Sequence, residues 1–429
     1  MIIHLDLDCF FVSAERTRTP LLKNKPVVVC KSGDTKIFSP QDTKVTMTKS
    51  VGAFNSIFQH HREFKPFNKN AYKEEFVDEF SRIHGIVIAK SYEAKKFGIK
   101  TGTLLKDALK MCPKLLVVSG DHLFYQLLSV RLKEFLQTKI PVLEQYSIDE
   151  FWGDLNGYIE DENTYEFIKN LQDEILKKFD LPISIGASST KWIAKFATDF
   201  NKPFGLTVVK KEEIREFVKN QKVEEFAGIG RALQKKLYDY RITTLGELIA
   251  AKPLIENWGR IGKDLYKRVT GEDKDAVEPF HDRSSIGISR NFAPLVDRDE
   301  AKRRVVILTR HLSHTIMRLN LSPSTFYFKI RYENGMKSKV SFSVDRMFSE
   351  SFFKNLMLET FEKLDIYKQS KIHHFSINAS NFVDEHSKKT FSLLHVNEDL
   401  KAKKLDEKLT LLRKKYGVDI IRSAVEKSE

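Results

Sequence analysis

The chain opens on an apolar strand that ends in acid. Ile2-Ile3-His4-Leu5-Asp6-Leu7 is hydrophobic from its second residue, and the alternation of a strand puts Asp6 and Asp8 on one face. A second acidic pair stands in Tyr146-Ser147-Ile148-Asp149-Glu150-Phe151, near the turn of a strand pair read over 142–155. Adjacent residues of a regular strand face opposite ways, so both carboxylates reach one site only beside a turn or a bulge. Crowded carboxylates repel one another unless cations neutralise them. Hard oxygen ligands favour Mg²⁺ or Mn²⁺ over zinc. Two such ions, about 3.5–4 Å apart, stabilise the attacking and leaving oxygens of an in-line phosphoryl displacement. Asp6-Leu7-Asp8 alone says less: any phosphotransferase or phosphatase can begin this way, and a buried polar pair reads the same.

The remaining pattern predicts several domains, since 429 residues exceed one ordinary core. A helix and a buried strand are expected over 13–30. A weakly patterned stretch rich in Phe follows over 33–82, its aromatics read as packing rather than base-stacking surfaces. Helical spacing returns over 124–138 and 164–179, with a strand at 182–187 and a helix at 192–200. Residues 210–277 read as small helices around Ala227-Gly228-Ile229-Gly230, a turn that either offers backbone N–H groups to a phosphate or is a tight interhelical bend. The last region alternates: a strand 284–292, a basic helix 298–319, a hairpin across Glu333-Asn334-Gly335, a helix 350–364 and a strand 372–380. A charged helix from about Asn397 and a short final strand are expected to close it.

The formal charge is +14, which makes a polyanion the first partner to consider. Half of that excess sits in residues 284–346, with twelve Lys/Arg against five Asp/Glu. Such concentration suits a nucleic-acid grip, although a basic, well-solvated surface has the same total. Cys9, Cys30 and Cys112 are scattered and form no CxxC, which argues against a disulfide framework and a zinc site. The opening lacks a signal-peptide pattern and no apolar run is long enough to cross a bilayer. A cytoplasmic location is the default expectation.

Four blocks in order carry a family resemblance. Asp6-Leu7-Asp8-Cys9-Phe10-Phe11 followed by Glu15 resembles the N-terminal signature of the Y-family translesion DNA polymerases, and Ser147-Ile148-Asp149-Glu150 resembles their second catalytic motif. Between them, Ser91-Tyr92-Glu93-Ala94-Lys95 through Gly102 resembles their nucleotide-binding motif. Downstream stand Gly186-Ala187-Ser188, Lys191, Ala194-Lys195 and Asn201-Lys202-Pro203-Phe204-Gly205.

The resemblance implies an α+β, right-hand polymerase. Its palm would span 1–12 and 119–209, with fingers over 13–118 carrying an insertion near 33–82. A helical thumb over 210–277, a linker over 278–283, an α/β little finger over 284–385 and a tail over 386–429 would follow. It further implies that Asp6, Asp149 and Glu150 hold two Mg²⁺ ions, with Mn²⁺ as a substitute, and that the Leu7 carbonyl adds an oxygen. Asp8 matches a position the family does not use as a direct ligand and is held in reserve. Phe11 would be the steric gate against a ribose 2′-hydroxyl, with Phe10 beside the sugar. Tyr92, Lys95 and Lys191 would hold the triphosphate. Lys95 stands where arginine is frequent, and Ile86 where a smaller residue is frequent near the nascent base pair. Gly228, Gly230, Arg303, Arg304 and Arg310 would grip the DNA backbone.

The implied reaction is low-fidelity, template-directed synthesis past damaged bases, without proofreading, on primer-template DNA with deoxynucleoside triphosphates. A monomer is expected, with no membrane partner. Thr390-Phe391-Ser392-Leu393-Leu394 sits where relatives carry a sliding-clamp peptide, but its leading Gln and terminal Phe are absent, so an ordinary strand is the competing reading of Phe391–Leu394. Two other classes compete with the polymerase. A nucleotide cyclase shares palm-like carboxylates but needs no long basic extension. A noncatalytic damaged-DNA-binding protein would lose the carboxylates that are present here.

Overall fold

β1 (Ile2–Leu7) lies in the middle of a five-stranded sheet, which is why its residues other than Asp6 are buried. The structure is a computed structural model, and it describes residues 1–31, 36–38, 45–47, 58–60, 67–77, 81–280, 282–383 and 393–426. After β1 come α1 (Phe10–Arg18), β2 (Val27–Lys31), β3 (Val45–Met47), β4 (Phe58–His60), α2 (Tyr72–Phe76), β5 (Ile86–Lys90) and α3 (Tyr92–Lys95). The chain continues through α4 (Leu105–Met111), β6 (Leu116–Ser119), α5 (His122–Gln137), β7 (Val142–Gln145) and β8 (Glu150–Asp154). Next are α6 (Thr164–Phe179), β9 (Ile183–Ser188), α7 (Lys191–Phe200) and β10 (Leu206–Val209). Five small helices follow: α8 (Ile214–Lys219), α9 (Arg231–Asp239), α10 (Leu245–Ala250), α11 (Lys252–Glu256) and α12 (Arg260–Thr270). The last elements are β11 (Ser285–Leu295), α13 (Arg298–Arg318), β12 (Pro323–Tyr332), β13 (Lys337–Ser343), α14 (Glu350–Leu364), β14 (Ile372–Phe382) and α15 (Val396–Tyr416).

The described residues fall into two units, one within Met1–Cys30 and Phe64–His281, the other within Lys31–Thr48, Ile57–Glu63 and Asp282–Glu429. In the first, the five-stranded sheet has the order β10-β9-β1-β8-β7, with β1 antiparallel to both neighbours. The odd residues of β1 (Ile3, Leu5, Leu7) share a core with Phe151 and with Leu128, Leu132, Ile168, Leu171 and Ile175 from α5 and α6. The helical spacing of those five residues is what lets two helices cover one sheet face. The even residues His4 and Asp6 face the other way, with Trp152 and Glu150 opposite them in register. There α7 packs so closely on β9 that a Cβ at Gly186 would stand 2.3 Å from the Ala194 carbonyl oxygen and 2.4 Å from the Thr198 nitrogen. Any side chain at 186 would push α7 off the sheet. The outer side of α7 (Ile193, Phe196, Ala197) joins the core of α8–α12. A separate three-stranded sheet, β5-β2-β6, carries α3 and α4 nearby in sequence.

In the second unit four antiparallel strands, β11-β14-β12-β13, bury one face under α13 and α14 through Leu308, Leu312, Phe353, Met357 and Phe361. The Asn334-Gly335 turn joins β12 to β13 as expected, with Gly335 at φ +84°. Ile37 and Phe38 also pack in this core, so part of the expected insertion does pack, and it packs in the C-terminal unit. Several segment readings need correction. α1 starts three residues earlier than expected and takes Phe10 and Phe11 into its first turn. The final strand is replaced by two short 3₁₀ turns, Val418–Ile420 and Ala424–Glu426. Phe391 of the expected clamp peptide lies outside the described residues; Leu394 is described and exposed. Among the described residues, no helix is long and apolar enough to cross a membrane.

Candidate active site

Asp6 and Glu150 are directly opposed across β1 and β8, so both side chains leave the same face of the sheet. Asp149 stands one residue before β8, in the turn from β7, where the strand alternation no longer turns it away. That turn is tied to β1: the Leu7 N–H donates to the Asp149 carbonyl at 3.0 Å. The Ser147 hydroxyl donates to Asp149 Oδ1 at 2.5 Å, and it accepts from the Asp149 and Glu150 N–H groups. Three acids are thereby gathered at the end of one strand, as expected from their sequence positions. The Leu7 side chain is buried, so only its backbone has oxygen to offer.

The electrostatics of the cluster follow from that crowding. Burial, reinforced by Asp149 and opposed by Lys202, pushes the Asp6 carboxyl up to about 7. Asp149 is likewise raised, by burial first and with Glu150 adding to it. Two lysines answer this charge. Lys202 Nζ donates to Asp6 Oδ2 at 2.5 Å, and Lys195 Nζ pairs with Glu150 Oε1. With the acids drawn to these partners, no group of three His, Cys, Asp or Glu converges tightly enough to hold a metal ion among the described residues. His4 lies behind the pair, fully buried, with Nδ1 2.9 Å from Thr198 Oγ1 and its ring 5.0 Å from that of Trp152. Burial and the surrounding lysines hold its pKa well below the usual histidine value.

Asp8, which the alternation placed beside Asp6, has a different role. It is almost wholly buried and accepts from Ser184 Oγ, from the Tyr92 hydroxyl at 3.0 Å and from the Phe204 N–H at 2.7 Å. Its oxygens are spent tying β1, α3 and the 202–205 loop together. Tyr92 is thereby brought to the carboxylate end of the sheet, with exposed Lys95 5.9 Å from its ring. Burial, and next the Asp8 charge, raise the Tyr92 pKa.

Lys191 is not brought there, and its reading as a triphosphate group is corrected. Its Nζ is buried, 2.6 Å from Glu144 Oε2 and 3.0 Å from the Ala276 carbonyl, and lies over the Trp152 ring. It stands at the first turn of α7, whereas Lys195 is one turn on and Lys202 lies beyond the helix, beside Asp6. Both Lys195 and Lys202 stand in the downstream motif block, but spacing alone did not say which lysine of that block faces the acids.

Phe10 is buried and Phe11 half-buried at the start of α1, held there by Cys9 at φ +49°. Ile86 is 44% exposed at the start of β5 and pairs with Leu104. Gly228, at φ +101°, and Gly230, which precedes α9, are both exposed, with nothing near a built Cβ. An open glycine turn at a helix start suits a backbone phosphate.

The three arginines of α13 expected to grip DNA are taken up by other partners. Arg303 and Arg304 both pair with Glu300, and Arg303 also donates to the Phe38 carbonyl. Arg310 is 4% exposed and saturated by Glu426, Asp419 and the Val418 carbonyl. The uncovered face of the sheet carries a free basic surface. There Lys329 opposes Lys339 and Arg331 opposes Lys337, and among the described residues none of the four joins an ion pair. Partial burial and then these neighbours lower the Lys329 pKa. Thr325, Tyr327, Ser341 and Ser343 continue the same face. The basic excess of residues 284–346 is visible in the sequence, but only the register of β12 and β13 shows that these four side chains share one face.

Comparisons with known proteins agree with this architecture. A family model described as the impB/mucB/samB family matches residues 5–199, and the model of that family's C-terminal domain matches 283–393. A DNA polymerase IV of Streptococcus pyogenes serotype M28 is 30% identical over 335 residues, covering 77% of this chain and 80% of that protein. One from Clostridium kluyveri is 28% identical over 436 residues, covering 99% and 97%. Among solved structures, a Y-family DNA polymerase chimera of Dbh and Dpo4 superposes with a TM-score of 0.69 at 20% identity, covering 89% of this chain and 99% of that one. The mixed helices and sheets of this chain thus share the fold of a Y-family polymerase. This chain belongs to the impB/mucB/samB family, the Y-family of DNA polymerases.

Proposed function

We propose that the chain adds deoxynucleotides to a primer 3′-hydroxyl on a DNA template, reads past damaged bases and has no proofreading step. The observation that carries this is the opposed pair Asp6 and Glu150, with Asp149 beside them and Lys202 and Lys195 facing them. Asp6, Asp149, Glu150 and the Leu7 carbonyl fit divalent cations: they are hard oxygen donors, and burial that raises Asp6 and Asp149 marks a site short of positive charge. Two Mg²⁺ ions, or Mn²⁺ in their place, would supply the Lewis acidity that activates the 3′-hydroxyl and neutralises the leaving pyrophosphate.

The chain's own groups do the rest. Lys202, Tyr92 and exposed Lys95 orient the triphosphate, with Asp8 holding Tyr92 and the 202–205 loop in place. Phosphoryl transfer asks mainly for such positioning and for charge opposite the phosphates. Phe11 closes the sugar side against a 2′-hydroxyl, and Phe10 packs beneath it. In this reading β1 with α5–α7 and their strands form the palm, the β5-β2-β6 sheet with α3 and α4 the fingers, and α8–α12 the thumb. The C-terminal sheet is the little finger, whose Lys329, Arg331, Lys337 and Lys339 contact phosphates of the duplex backbone; the Gly228–Gly230 turn by itself offers N–H groups to a backbone phosphate. Both contacts are independent of sequence.

Purified chain with Mg²⁺ and deoxynucleotides should extend a primer on undamaged and on abasic templates, and should leave a mismatched primer end uncut. Absence of extension on either template would remove this reading.

A further inference from the structure

A steric gate excludes a hydroxyl only as far as its ring refuses to yield, so what lies behind Phe11 matters as much as the ring. Phe11 is stacked on Tyr125, centroids 4.5 Å apart and planes 15° from parallel. The His122 ring meets it edge-on at 5.5 Å and 89°. His122 and Tyr125 are one turn apart on α5, so one helix face presents both contacts.

Tyr125 is itself locked. It is fully buried, and its hydroxyl donates to Glu15 Oε1 at 2.6 Å. Glu15, on α1, also receives both Arg18 Nη2 at 2.7 Å and Arg18 Nε at 3.0 Å. Arg18 Nη1 then donates to Asp121 Oδ2 at 2.9 Å, and the guanidinium lies 4.2 Å over the Phe124 ring. Asp121 caps α5 by accepting the Phe124 N–H. The circuit therefore leaves α1 at Glu15 and Arg18, enters α5 at its cap, and returns to α1 through the Tyr125 and Phe11 rings. Plain core packing would need neither the charged anchor on the hydroxyl nor the parallel stack. Both restrict the direction in which Phe11 can retreat.

We propose that Tyr125 is a positioning residue that braces Phe11, so that selection of deoxyribose over ribose depends on the brace as well as on the gate. The inference rests on the reading of Phe11 as the gate.

The test measures kcat/KM for a deoxynucleotide and for its ribonucleotide, and takes their ratio, in wild type, Phe11→Ala, Tyr125→Leu, Tyr125→Phe and the double variant Phe11→Ala/Tyr125→Leu. Tyr125→Leu should lower the ratio by about three- to tenfold (about 0.7–1.4 kcal/mol), chiefly by admitting ribonucleotide. Tyr125→Phe keeps the ring and should retain most of the selectivity. The double variant should be no less selective than Phe11→Ala. His122→Ala, at a half-buried position that leaves no core cavity, should lose selectivity in the same direction by a smaller factor. If Phe11→Ala selects as wild type does, the gate falls and the brace with it. If Phe11→Ala loses selectivity while Tyr125→Leu and His122→Ala keep it, the gate stands and the brace is refuted. An equal fall for both nucleotides in Tyr125→Leu, with His122→Ala unchanged, would also refute it, because a merely structural role moves both alike.

Discussion

Lys191 and Lys195 lie one turn apart on α7, yet their ammonium groups meet different partners, Glu144 in the interior and Glu150 at the acid cluster. Two separable outcomes follow at the level of single residues. Lys191→Met would break the buried Lys191–Glu144 pair, and breaking a buried pair costs about 3–5 kcal/mol. It should lower stability in urea denaturation while leaving the deoxynucleotide KM near wild type. Lys202→Met should do the reverse, lowering kcat/KM by about ten- to a hundredfold, the worth of one charge-assisted contact. A raised KM with unchanged stability for Lys191→Met would reinstate it as a triphosphate group. The gathering of the carboxylates was legible because each is fixed by its neighbours in sequence: Asp6 by the strand that carries it, Asp149-Glu150 by a turn. Which lysine faces them was not legible, because it depends on how α7 lies on Gly186 and where the chain goes after Phe200.

Among the elements, the C-terminal sheet shows how a charge count misleads without register. α13 is long and basic and therefore read as the grip, but Glu300 sits three and four residues before its arginines, and Asp419 and Glu426 come from beyond α15. The alternating lysines of β12 and β13 have no acid opposite them. Next to them, His374 opposes Arg331 and bonds Asn291 at 2.7 Å. Burial, and then Arg331 and Lys329, push its pKa down to about 4. Between about 4 and its ordinary value of about 6.5, the unfolded chain binds a proton that the folded one refuses. This group therefore withdraws stability as pH falls through that window and withdraws none above it. His374→Gln should flatten the change in melting temperature between pH 7 and pH 4.5; an identical slope to wild type would contradict the assignment. The hairpin itself was legible from Asn334-Gly335, whereas the short strands β6 and β10, of four residues each, carry too little pattern to be separated from loops.

For the whole molecule, the excess of positive charge predicts binding that weakens with salt, and the location of that charge predicts which variants change it. Each phosphate contact contributes about 0.9 to the slope of log K against log salt. Replacing Lys329, Arg331, Lys337 and Lys339 together by Gln should reduce the slope measured by fluorescence anisotropy. Replacing Arg303 and Arg304 by Gln should leave it near wild type, and the opposite ranking would return the grip to α13. The central claim concerns the acid cluster. Single-turnover incorporation on a primer-template with saturating deoxynucleotide and Mg²⁺ should fall by about a thousandfold or more in Asp149→Ala and in Glu150→Ala, with DNA binding unchanged. Incorporation within about tenfold of wild type in either variant would contradict the account.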